Sequence, residues 1–193
     1  MWLHLKQSWV YGGSLAGVMV LCLMPIIGQG WPLALTLVFL QLPIYIFHQL
    51  EEHYDDRFRR VVNDLIGQGR EVLSLGGVFV INMAGVWALD LISFGLAYRL
   101  GIGWGLIGAY AMVINAVAHI VQGIRLRSYN PGLVTSIILF LPVGLGGIWA
   151  ISATGEATGL QHVVGIAIGL ALHAAIVGYV LNNRRRLTER KAT

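Results

Sequence analysis

The segment from Pro32 to Leu50 reads PLALTLVFLQLPIYIFHQL and runs directly into Glu51 and Glu52. None of its 19 residues is Asp, Glu, Lys or Arg. A helix of about 20 apolar residues crosses the hydrocarbon core of a bilayer, so this stretch predicts a spanning helix with a polar end. His48, Glu51 and Glu52 are three and four residues apart and share a helix face. Two adjacent acids where a helix leaves a bilayer are costly unless something cationic meets them.

Similar apolar stretches recur along the chain. Of its 193 residues, 56% are hydrophobic and 11% charged, and the mean hydropathy is +0.72; a soluble domain carries roughly 25% charged residues. Six stretches are long enough to span, near residues 10–28, 32–50, 73–98, 101–124, 133–151 and 161–181. The expected fold is an all-α, polytopic membrane bundle of six transmembrane helices, a single integral domain over residues 1–193. The first span follows a short segment carrying one Lys and lacks a small-x-small cleavage site, so it is read as retained. The lone Cys22 lies within it, which leaves no disulfide framework.

The thirteen basic residues predict the orientation. Lys6, Arg57, Arg59, Arg60, Arg70, Arg125, Arg127, Arg184, Arg185, Arg186, Arg190 and Lys191 fall on one side of a six-span protein, and Arg99 on the other. Both termini are therefore expected in the cytoplasm, with the protein in a bacterial inner membrane and a basic tail over residues 182–193. The net charge of +4 reads as a topology signal and a contact with anionic membrane lipid. It does not argue for nucleic acid, because no folded domain outside the bilayer exists to carry a basic face.

The sizeable loop follows the second span. Phe58, Val61, Val62, Leu65 and Ile66 recur at helical spacing, predicting an amphipathic interfacial helix over 54–66 that Gly67 and Gly69 end. Asp55 with Arg59, and Asp56 with Arg60, stand at the spacing of helical ion pairs. Were the second span to continue unbroken, Glu51 would face Asp55 and Glu52 would face Asp56.

Topology places the intramembrane polar residues by depth, at about 1.5 Å per residue. His48, Asn82, Asn115, His119 and His173, from four spans, fall in one layer of the cytoplasmic half. Asp90 falls in the outer half. Each such His or Asn could equally make an ordinary hydrogen bond between helices. His53 points about 140° away from His48 on an ideal helix and reads as a surface residue, while His4 and His162 read as interfacial.

Three short motifs occur in order: His48-x-x-Glu51-Glu52, Asn115-x-x-x-His119 and Tyr129-x-Pro131-Gly132. Together, on a helical membrane background, they resemble the HXXEE family of integral membrane proteins. The resemblance runs from about Leu40 to the end of the sixth span. It implies an integral membrane protein, with candidate positions at the motif residues and no established chemistry.

The motifs also read physically. Asn115 and His119 share a helix face. Tyr129-Asn130-Pro131-Gly132 is a turn, with Pro suited to a second position and Gly to a third, and an ordinary connector would account for Pro131 and Gly132. Tyr129, Arg125 and Arg127 would suit a phospholipid headgroup or an anionic substrate, or serve as anchors.

His48, Glu52, His119 and His173 would complete a tetrahedral site for a divalent metal, zinc or iron, with Glu51 as general base or further ligand. Asn115 joins Glu51 as a catalytic candidate, and Asn82 would orient ligands or substrate. The chemistry would be hydrolysis of a hydrophobic or lipid-like substrate. With His53, Asp55 or Asp56 added, a two-iron oxidase or hydroxylase is the second enzyme reading. The alternative class is a proton- or cation-coupled transporter, in which Asp90 would take part. The sequence carries no phosphate-binding loop, no Gly-x-Ser-x-Gly elbow and no Cys-x-x-Cys pair. Gly101-x-Gly103-x-Gly105 does not follow a strand, so close helix packing accounts for it.

Overall fold

The second apolar segment becomes α2, Leu33–His53. Pro32 at φ −65° sets its start, where the missing N–H of proline has no cost. Around α2 the computed structural model, which describes residues 1–189, places α1 (Trp2–Ile27), α3 (Arg57–Leu65), α4 (Leu75–Leu100), α5 (Ile102–Leu126), α6 (Leu133–Ala153) and α7 (Gly159–Glu189). All but α3 are long and apolar enough to cross a membrane, with mean hydropathy from 1.6 to 2.2 over the best stretch of each. No strand occurs among the described residues. The fold is the all-helical, six-span bundle expected.

Burial divides the spans. Half of the most apolar stretch of α2 and of α5 is buried, against 17% for α1 and α7. α5 packs against α6 and α7, and α2 against α1, α4 and α6. Bulky apolar side chains such as Ile124, Trp149 and Leu170 face outward, as lipid contact requires. Without a hydrophobic drive between helices in lipid, close approach depends on small residues. Gly165 and Gly169 of α7 supply it: a Cβ on Gly165 would lie 2.9 Å from Leu106 O, and one on Gly169 3.2 Å from Ala111 Cα.

Several boundaries differ from the sequence reading. α1 starts at Trp2, well before residue 10. α7 continues to Glu189, so residues 182–189 of the basic tail are helical; Arg190 and Lys191 lie outside the described residues. The amphipathic helix is shorter than 54–66. A tight turn over Tyr54–Asp56 precedes it, with Asp55 and Asp56 at φ 51° and 57°. That left-handed pair ends α2 at His53 and removes the like-charge stacking on Glu51 and Glu52. It also exchanges the ion pairs: Asp56 meets Arg59, and Asp55 meets Arg60 at 2.8 Å.

α3 is held beneath the bundle by Asn63. Its Oδ1 accepts from Val72 N at 3.0 Å and Leu73 N at 2.9 Å, while Nδ2 donates to Leu73 O at 3.1 Å. α3 therefore turns Phe58, Val62 and Ile66 toward the interior. Ser74 then caps α4, accepting from Gly77 N at 3.0 Å. Two spans widen into π-helical turns, α4 over Ile81–Trp87 and α6 over Ser136–Phe140. Such bulges often mark functional sites, and both lie beside the residues described next.

Candidate metal centre

Gln41, Tyr45, His48 and Glu52 recur at intervals of four, three and four residues, the period of one helix face. All are buried on the inner face of α2. His119 of α5 meets the end of this stripe. Glu52 Oε2 lies 3.7 Å from His48 Nε2, and Glu52 Oε1 lies 3.7 Å from His119 Nε2. One ligand atom from each of His48, Glu52 and His119 can be chosen so that all lie within 4.8 Å of one another. Bonds of about 2.0–2.1 Å to a tetrahedral ion place neighbouring donors about 3.3 Å apart, so the spacing suits one divalent cation.

Hydrogen bonding aims both imidazoles. Thr135 Oγ1 donates its single proton to Glu51 Oε2, so it accepts from His48 Nδ1 at 2.9 Å. Asn130 Nδ2 donates to His119 O at 3.0 Å, which turns Asn130 Oδ1 to accept from His119 Nδ1 at 2.7 Å. Each ring thus keeps its proton on Nδ1 and presents the Nε2 lone pair to Glu52. Metal-ligating histidines are commonly oriented in this way. His48 Nε2 is fully buried with no hydrogen-bond partner, as expected of a ligand atom.

Packing excludes water behind the rings. Phe140 stacks on His48 at 4.1 Å between centroids, and the His48 and His119 rings stand 5.0 Å apart. Gly132 closes the third side. It is the third residue of a turn in which Leu133 N donates to Asn130 O at 3.1 Å, and its φ is 96°. A Cβ there would lie 2.8 Å from Cε1 of both histidines. Gly132 is therefore more than a connector, because its missing side chain leaves room for the paired imidazoles.

Glu51, expected as the base or a further ligand, faces another way. It accepts from Val134 N at 3.1 Å, Thr135 N at 2.7 Å, Thr135 Oγ1, and Tyr129 Oη at 2.9 Å. The two backbone donors are free N–H groups at the start of α6, where a helix favours negative charge. The carboxylate that would oppose the dipole of its own helix caps another. Burial, followed by the hydrogen bond to Glu51, raises the Tyr129 phenol above its ordinary range. Arg125 and Arg127 are exposed beyond the end of this site and form no ion pair among the described residues.

A cavity of about 240 Å³ opens on the other side of Glu52 and His119. Its wall is mainly apolar, with Tyr45, Phe58, Val62, Ile66, Ala118 and Ile176 among its lining. Asn82, Asn115 and His173 also line it, so with Glu52 and His119 four spans bring polar residues to one space, while His48 is not among the lining. His173 is not in the three-residue group. Its Nδ1 is engaged by Gly169 O at 2.8 Å, while its buried Nε2, like Asn115 Oδ1, has no partner.

His53 departs from the sequence reading. It is 7% exposed, with Nε2 3.2 Å from Glu52 Oε2 and 3.2 Å from Asn82 Nδ2. Trp87 Nε1 donates to Gln49, and Gln49 Nε2 donates to Asn82 Oδ1 at 2.7 Å, which fixes the Asn82 amide toward His53. α2 ends at this residue, and Trp9 of α1 packs on its ring at 5.2 Å between centroids. Gln49, Asn130 and Thr135 were equally unmarked in the sequence. Gln49 and Asn130 have a nearby signal, as unspecified positions of His48-x-x-Glu51-Glu52 and Tyr129-x-Pro131-Gly132, and Thr135 has none.

The site and fold define an all-helical membrane-spanning bundle with a buried His-Glu-His cluster able to hold a metal. Residues 39–146 match the family described as "Protein of unknown function with HXXEE motif", more than half of the chain, and the protein belongs to that family. The match ends inside α6, short of the sixth span, so His173 lies outside it. No curated protein and no solved structure matches the chain.

Proposed function

We propose that the protein is a membrane-embedded hydrolase using one divalent metal ion, with a lipid-like substrate whose apolar part occupies the cavity beside Glu52 and His119. The observation that carries this reading is the arrangement of Thr135 and Asn130, which turns both Nε2 lone pairs onto one carboxylate. His48, Glu52 and His119 would hold the ion. A bound divalent ion supplies Lewis acidity to a carbonyl oxygen or to water at neutral pH.

The chain's own residues divide the remaining work. His173 Nε2, unpartnered at the cavity wall, takes the proton released from attacking water. Asn115, whose Oδ1 has no partner, orients the polar head of the substrate. Phe58, Val62 and Ile66 of α3 cover the apolar part from the surface side. A single ion is favoured over two irons because Asp55 and Asp56 are paired with Arg60 and Arg59, leaving Glu52 as the carboxylate facing the histidines. The arginine distribution supports this end of the bundle facing the cytoplasm.

The test is turnover of amphiphilic esters and amides by protein reconstituted with zinc or iron(II). Metal-dependent release of an acyl chain, lost on chelation and in His48→Ala, is the expected result. Loaded protein inactive on every ester and amide, but oxidising the same amphiphiles with iron and oxygen, would overturn the hydrolase reading.

A further inference from the structure

About two turns along α2 from His48, on the same face, a second polar cluster is buried that the metal centre does not use. Gln41 is 0% exposed, and Asp90 of α4 is 2% exposed. Gln41 Nε2 donates to Gly105 O at 3.3 Å, which fixes the amide and turns Oε1 the other way. A Cβ on Gly108 of α5 would collide with Gln41 Oε1 and lie 3.0 Å from Asp90 Oδ1, so the two oxygens share one small space.

Neither Asp90 oxygen nor Gln41 Oε1 has a hydrogen-bond partner. Ser93 is already committed, donating to Trp104 O at 3.1 Å and accepting from Gly108 N at 3.1 Å. Among the described residues no Lys, Arg or His pairs with Asp90. Arg99 of the same helix is exposed at its end. Tyr45, one turn from Gln41 on α2, is also committed, donating to Ala111 O at 3.4 Å, while α5 and α6 bring Gly108 and Gly147 to Gln41. Three buried acceptors with no donor repel one another, and a lone buried carboxylate is strongly unfavourable.

We propose that Asp90 and Gln41 form a second buried site that binds one positive charge, a proton or a sodium ion. As a proton, the charge resides on Asp90, whose O–H then donates to Gln41 Oε1. As sodium, it is held by the carboxylate and amide oxygens. The all-oxygen donor set disfavours zinc or copper, which prefer nitrogen and sulfur, so the site differs in chemistry from the His-Glu-His cluster. The site stands independently of the hydrolase reading.

Infrared spectroscopy of the full protein in lipid, in potassium buffer at neutral pH, tests the proposal. A protonated-carboxyl C=O band that disappears in Asp90→Asn is expected. Sodium then separates the two charges: the band persists if a proton is the occupant and is lost on sodium titration if sodium displaces it. Should Asp90→Asn fail to fold, Gln41→Leu keeps the acid and removes its acceptor, and must move the band to higher wavenumber. A spectrum with no such band, or one that neither variant alters, overturns the site. His48→Ala must leave the band in place, which keeps this result separate from the metal centre.

Discussion

Thr135 Oγ1 stands between His48 Nδ1, 2.9 Å away, and the Glu51 carboxylate to which it donates. The two acids of the HxxEE motif therefore act on His48 from opposite sides: Glu52 faces Nε2, and Glu51 acts through a hydroxyl on Nδ1. Thr135→Val removes the relay at nearly constant volume. We expect metal affinity to fall about 10–100-fold, read by competition with a chelator. Unchanged affinity would show that His48 is held without it.

Glu51 and Glu52 should separate cleanly. Glu51→Gln weakens the cap on α6 and should lower stability by about 1 kcal/mol, the usual size of a lost cap, while retaining metal. Glu52→Gln should lose the metal and change stability less in metal-free protein. Thermal unfolding with and without chelator measures both. Equal metal loss in the two variants would contradict the division.

Gly132→Ala tests the cradle. Its Cβ would press on both imidazoles and occupy a backbone at φ 96°, for a combined cost of about 1–3 kcal/mol. Lower stability and loss of metal are expected together. A stable, metal-replete variant would show that the histidines are placed differently.

Tyr129 gives a pH signature. Its phenol is raised by burial and by the hydrogen bond to Glu51, so the folded state holds the proton more tightly than the unfolded one. The associated stability is complete below the ordinary phenol range of about 10 and is lost as pH rises through the higher folded value. Wild type should lose stability more steeply than Tyr129→Phe above that range. Parallel curves would remove Tyr129 from the network.

Ala118 lines the cavity from α5. Ala118→Phe should leave metal content intact and reduce turnover of long-chain amphiphiles at least tenfold more than that of short-chain ones. Equal loss for both would place the apolar chain elsewhere.

The spans were legible because one property, a run of apolar residues of bilayer length, decides each. The metal candidates on α2 and α5 were legible because helical spacing and depth together predict convergence. Thr135 and Asn130 were not, because their roles depend on which turn packs beside which histidine. His53 was not legible because its side of α2, about 140° from His48, packs against Trp9 of α1 and Asn82 of α4, which helical spacing alone does not reveal. Gln41 lies inside an apolar run, and only its packing beside Asp90 and Gly108 distinguishes it.

The most direct measurement of the central claim is metal content by elemental mass spectrometry of gently purified protein, beside His48→Ala, Glu52→Ala and His119→Ala. The account predicts about one zinc or iron per chain in wild type, falling at least tenfold in each variant. A folded, metal-free wild type that takes up neither ion when supplied would contradict it.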